Sequence, residues 1–202
     1  MFSLILVISA IGGYLLGSVP FGLVITRAAG LGDIRQIGSK NIGATNVLRT
    51  GRKDLALATL ILDAGKGGIA VLLARYFGGE LAGIVAGVAA FAGHCWPIWL
   101  KFKGGKGFAT YLGTLLALNW IVFLMVGLTW LIIAYARRYS SLAALTSSAA
   151  APIFAWIWSG PLLSAACALL TIFIYYRHKE NILRLLDGTE TKIGGEKSQT
   201  GG

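Results

Sequence analysis

Apolar runs long enough to cross a bilayer recur along this chain, and the short loops between them hold nearly all of its lysines and arginines. A helical span needs about 20 apolar residues, and about 17 still suffice. Hydrocarbon leaves no partner for an open backbone amide, so such runs must become helices. The rule places spans at 2–26, 54–77, 81–100, within 107–118, and at 119–136, 141–158 and 161–176. A break falls at Gly78-Gly79-Glu80 and a joint at Ser159-Gly160-Pro161. The expected fold class is therefore all-α, a polytopic bundle of seven transmembrane helices. The first run lacks a basic flank and is too long for a signal peptide. Only 13% of the 202 residues are charged, against about a quarter in a soluble domain.

The charges orient the bundle. With seven spans, one side collects every lysine and arginine except Lys66 and Arg75, out of 18 in all. Basic loops stay in the cytoplasm, so the N-terminus is expected outside and the C-terminus inside. Dropping the short fourth span would send Arg137-Arg138 and the tail outward. The net charge of +10 suits anionic headgroups rather than nucleic acid, because it lies in loops between apolar runs. Residues 1–186 read as one transmembrane domain and 187–202 as a polar flexible tail. Cys95 and Cys167 sit far apart in apolar segments, with neither disulfide nor metal-ligand spacing.

This topology brings three polar elements to one face. The first is the glycine-punctuated loop Gly38-Ser39-Lys40-Asn41-Ile42-Gly43-Ala44-Thr45-Asn46-Val47-Leu48-Arg49. Glycines let the backbone approach a ligand, and hydroxyls, amides and a guanidinium offer donors to an anion. Ser39, Asn46 and Arg49 are the expected clamps, while Lys40, Arg52 and Lys53 suit headgroups. The second is Lys101-Phe102-Lys103-Gly104-Gly105-Lys106-Gly107, just before a helix start, where free N–H groups favour an anion. It lacks the Gly-Lys-Ser/Thr ending of a Walker A loop. The third is Arg177-His178-Lys179-Glu180-Asn181. His178 has a side chain suited to proton transfer, Asn181 lies one helical turn on, and Glu180 is placed to orient or neutralise cations. Inside the second span, Asp63 and Lys66 are spaced to pair with each other, either as a structural ion pair or as a wall of the site. His94 and Pro97 read as a kink with a satisfied histidine, and Ser18 and Pro20 read similarly.

Together, Gly17-Ser18-Val19-Pro20, Asp33-Ile34-Arg35, the 38–49 loop, Asp63-Ala64-Gly65-Lys66-Gly67, Gly93-His94 with Pro97, Lys103-Gly104-Gly105-Lys106-Gly107 and Arg177-His178 with Asn181 resemble the bacterial acyl-phosphate:glycerol-3-phosphate acyltransferases. The resemblance covers the chain except its tail. One departure is Lys40, where that family usually carries glycine. The resemblance implies a multi-pass enzyme of the bacterial inner membrane, with its active site on the cytoplasmic face. It implies acyl transfer from an acyl phosphate to glycerol 3-phosphate, giving lysophosphatidic acid, with no cofactor or metal. Ser39, Arg49, Lys106, His178 and Asn181 would hold the two phosphates. Asn41, Gly43, Thr45, Asn46, Lys103 and Gly104 would complete the pocket. Membrane lipid is an expected partner, nucleic acid is not, and a monomer is expected.

No nucleophile stands out, so direct transfer is expected, with His178 or a substrate phosphate as base. The His-x4-Asp pattern of unrelated acyltransferases is absent, since Trp99 and Leu183 occupy the fifth positions after His94 and His178. The rivals are a transporter of a phosphorylated solute and a non-catalytic headgroup binder. A transporter needs polar groups reaching the far side of the membrane, and these residues gather on one face.

Overall fold

The computed structural model describes residues 2–194. Nine α-helices make up the described part: α1 (Phe2–Gly17), α2 (Phe21–Ala28), α3 (Ala44–Val47), α4 (Lys53–Cys95), α5 (Phe108–Leu118), α6 (Trp120–Arg137), α7 (Ser140–Trp158), α8 (Pro161–Arg177) and α9 (Lys179–Leu186). By length and apolar character four segments can cross a membrane: Ser3–Ala28, Lys53–Leu100, Trp120–Arg137 and Ser140–Trp158. Phe108–Leu118 and Pro161–Arg177 are shorter apolar helices.

The expected helix breaks are visible, with shifts that have local causes. Gly79 adopts φ 76° and ψ −168°, which divides α4 into two limbs at the Gly-Gly-Glu sequence. The single helix expected over 2–26 is interrupted after Gly17, where Pro20 has no N–H to continue the ladder. The helix expected to reach residue 100 ends at Cys95, and Pro97 leads into a 3-10 turn over Ile98–Leu100. Asn119 caps α6 by accepting from the N–H groups of Ile121 and Val122, at 3.0 and 3.1 Å. Its Nδ2 donates to the Trp158 carbonyl at 3.0 Å, tying this cap to the end of α7.

Small residues bring α1 and the second limb of α4 close together. A Cβ on Gly17 would lie 2.0 Å from the Ala90 carbonyl oxygen, and one on Gly93 would lie 2.2 Å from that of Tyr14. Close backbone approach of this kind is how membrane helices associate without a hydrophobic drive between them. A second core joins Phe91, Tyr111, Leu115, Val126, Leu170 and Ile174 across α4 to α8. Large apolar side chains such as Ile8, Leu73, Ile132 and Ile172 point outward and stay exposed, as lipid-facing residues do.

Beyond α9 the chain turns back. Thr189 and Glu190 donate their N–H groups to the Arg184 carbonyl, at 2.8 and 3.1 Å. Ile193 N–H donates to the Arg138 carbonyl at 2.6 Å. The first part of the expected flexible tail is thus a strap docked between α9 and the α6–α7 joint. The remainder of that tail lies outside the described residues.

Candidate active site

The 38–49 loop is held by its own apolar anchors. Ile34, Ile42 and Val47 are buried with Leu23 of α2 and Ala56 of α4. Asp33 starts the segment: its Oδ1 accepts from the Arg35 N–H at 3.0 Å, and its carboxylate takes Arg35 Nη2 at 2.5 Å and Arg27 Nη2 at 3.2 Å. The Arg35 hydrogen bonds hold the Asp33 carboxyl well below the usual range.

Asn46 organises this loop. Its Nδ2 donates to the carbonyls of Ile34 (2.8 Å), Ile37 (3.3 Å) and Asn41 (2.8 Å). Its Oδ1 accepts from Ser39 N–H at 3.0 Å and Ser39 Oγ at 3.3 Å. With 1% of its surface exposed, Asn46 spends its amide on the scaffold, which differs from the clamp expected of it. An unpaired buried amide would be costly, so the loop folds around it. Asn41 Oδ1 likewise accepts from Ile42 N–H at 2.8 Å. Gly38 has φ 53°, and a Cβ there would meet Asn46 Oδ1 at 2.5 Å and Arg49 Cδ at 2.7 Å. Gly43 caps α3, while Thr45 and Arg49 are exposed.

The second and third elements meet. Gly104 N–H donates to the Cys95 carbonyl at 3.1 Å and Gly105 N–H to that of His94 at 3.0 Å. From the other side, Arg177 donates through Nη2 to the Gly104 carbonyl at 2.7 Å and through Nε to that of Gly105 at 2.9 Å. Lys106 follows directly, and its Nζ donates to Asn181 Oδ1. Burial pulls the Lys106 ammonium down to about 8. Lys103 is exposed. His178 is buried, and its Nδ1 must donate to the Ile174 carbonyl, 2.8 Å away. The neutral ring therefore keeps its lone pair on Nε2. Burial, reinforced by the Lys106 charge, lowers His178 to about 4.

One residue without a signal in the sequence, Glu190, completes the network. Glu190 Oε1 accepts from Asn181 Nδ2 at 2.8 Å and from Ser141 Oγ at 3.0 Å, while Oε2 takes Arg184 Nε at 2.7 Å. A cleft of about 340 Å³ lies beside it. Gly38, Ser39, Lys40 and Arg49 line one side, and Glu180, Arg184, Thr189, Glu190 and Thr191 the other. Of the expected phosphate holders, Ser39 and Arg49 face this cleft directly. Lys106 and Asn181 reach it through Glu190. Guanidinium, ammonium and hydroxyl donors at one end of a helix bundle can hold anionic oxygens.

The family model described as glycerol-3-phosphate acyltransferase matches residues 7–188. The chain belongs to the glycerol-3-phosphate acyltransferase family. A glycerol-3-phosphate acyltransferase of Maricaulis maris is 61% identical over 197 residues, covering 98% of this chain and 91% of that protein. Among solved structures, this acyltransferase is similar to PlsY, an integral membrane glycerol 3-phosphate acyltransferase. The glycerol 3-phosphate form of PlsY aligns with TM-score 0.88 and 39% identity, over 93% of this chain and 94% of that one. The lysophosphatidic acid form aligns with TM-score 0.86 and 38% identity, over the same shares.

Proposed function

We propose that this acyltransferase moves a fatty acyl group from an acyl phosphate to the 1-hydroxyl of glycerol 3-phosphate, releasing inorganic phosphate and lysophosphatidic acid. The observation that carries this reading is the meeting of Ser39 and Arg49 with Arg184 and Glu190 around one cleft, with Lys106 and Asn181 directly behind. Relatives crystallised with glycerol 3-phosphate and with lysophosphatidic acid fit both ends of the reaction.

The glycerol oxygen attacks the acyl carbonyl, and the carbonyl electrons collapse back to expel phosphate. Two anions must be held side by side, so positioning and charge stabilisation supply most of the barrier reduction. Ser39, Arg49, Lys106 and Asn181 bind the phosphates, with Asn41, Gly43, Thr45, Lys103 and Gly104 shaping the pocket. Asn46 holds the loop in place. A proton must leave the attacking hydroxyl. His178, lowered to about 4, is a weaker base than a phosphate with a second pKa of about 6. The departing phosphate therefore takes the proton, and His178 Nε2 orients the hydroxyl.

Counting the two limbs of α4 separately, and α5 and α8 as spans, supports seven crossings with the N-terminus outside and the site facing the cytoplasm of a bacterial inner membrane. The enzyme works as a monomer in this reading. Purified protein given labelled glycerol 3-phosphate and palmitoyl phosphate should make lysophosphatidic acid, and acyl-CoA or acyl carrier protein donors should not replace the acyl phosphate. No product from palmitoyl phosphate would sink the proposal. For topology, Glu80→Cys should react with an impermeant maleimide on intact cells, and Lys53→Cys only after permeabilisation. Light scattering in detergent reads the monomer.

A further inference from the structure

Asp63 and Lys66 are both 2% exposed inside the first limb of α4. Lys66 Nζ donates to Asp63 Oδ1 at 2.7 Å. A charge inside a membrane span costs about 2.5–3.5 kcal/mol on insertion scales. Two residues three apart on one helix join nothing that the helix does not already join. What matters is what the pair reaches beyond it. Lys66 Nζ also donates to the Val19 carbonyl at 2.8 Å, at the break between α1 and α2. Asp63 Oδ1 lies 3.5 Å from His94 Nδ1, in the other limb of α4. That nitrogen has no aligned hydrogen bond among the described residues, so the histidine expected to be satisfied is held by packing and shape.

The far edge of the His94 ring lies against the phosphate loop. A Cβ on Gly105 would fall 2.1 Å from His94 Nε2, and one on Gly104 would fall 2.2 Å from the His94 carbonyl oxygen. The ring is thus wedged between the Asp63 carboxylate and the backbone that carries Lys106. Arg177 closes the other side by gripping the Gly104 and Gly105 carbonyls.

We propose that Asp63, Lys66 and His94 form a buried positioning unit that sets where Lys106 stands. None of the three touches substrate. The inference rests on the reading that Lys106 holds a substrate phosphate, and its test separates the two. Gly105→Ala drives a methyl into the His94 ring, and should lower kcat/KM for glycerol 3-phosphate by roughly 100-fold, the cost of a displacement near 1 Å. His94→Ala alone should lower it about tenfold, and adding Gly105→Ala to it should cost nothing more, since the methyl enters the vacated space. Equal costs of Gly105→Ala in both backgrounds, with both proteins folded, would overturn the proposal.

Competitive acetylation of Lys106, followed by mass spectrometry across pH, reads the same contact without turnover. In the unsubstituted protein Lys106 should titrate near 8. In His94→Ala, and in the shape-preserving Asp63→Asn, it should rise toward the ordinary lysine value of about 10.4. An unmoved Lys106 in both folded variants rejects the unit. Normal turnover in Lys106→Ala would instead reject the phosphate role and leave the acetylation result to judge the positioning.

Discussion

Lys106 Nζ donates to the side-chain oxygen of Asn181, which joins the loop before α5 to the first turn of α9. The same amide passes its Nδ2 to Glu190, so Asn181 keeps an ammonium and a carboxylate apart by one neutral group. Asn181→Asp should neutralise Lys106 locally and repel the substrate phosphate. Steady-state kinetics should show a fall of about 100-fold in kcat/KM, larger than that of Asn181→Ala, despite the new ion pair.

The lowered Lys106 value sets an alkaline limit. Above about 8 the free enzyme loses this positive charge, so kcat/KM should fall as pH rises through that value. His178, at about 4, stays neutral throughout the range and does not shape this limb. Lys106→Arg should abolish the alkaline limb, because a guanidinium stays charged, at the cost of a lower plateau. A limb that persists near 8 in Lys106→Arg would assign it to another group.

Gly38 and Lys40 should respond in opposite directions. Both have left-handed backbones, with φ 53° and 57°. A left-handed conformation costs a residue with a Cβ about 1–2 kcal/mol. Lys40→Gly should therefore raise the melting temperature. Gly38→Ala adds the same strain plus a clash with Asn46 and Arg49, and should lower both stability and turnover. Thermal melts of the two variants in one detergent decide it.

Arg49 and Arg52 are close in sequence but differ in surroundings. Arg49 lines the cleft, whereas exposed Arg52 is committed to Asp54 at 2.6 Å. Arg49→Ala should lose about 100-fold or more in kcat/KM. Arg52→Ala should stay within about threefold, as expected of an exposed ion pair.

The helical layout was legible because lipid demands long apolar runs and Gly78-Gly79-Glu80 marks a break. The interruption at Pro20 read only as a kink in one long helix, since a proline can also lie inside a helix, as Pro152 does in α7. The pairing of Asp63 with Lys66 was legible from helical spacing alone. Asn46 was harder: an asparagine in a polar loop offers the same donors whether it faces a ligand or its own backbone, and only the surrounding carbonyls of Ile34, Ile37 and Asn41 decide. Glu190 had no local signal, sitting between threonines in a polar tail. Its role comes from the chain turning back toward Ser141 and Asn181, a contact that no spacing rule anticipates.

That strap has a consequence for the order of assembly. The cleft joins Ser39, in the loop after α2, to Glu190, beyond α9, with the long apolar helices lying between them in sequence. Contacts so far apart along the chain carry the largest loop-closure cost and form late. On the proposed site, the helices and the 38–49 loop can be in place before the cleft closes, so catalysis is the last property a folding copy acquires.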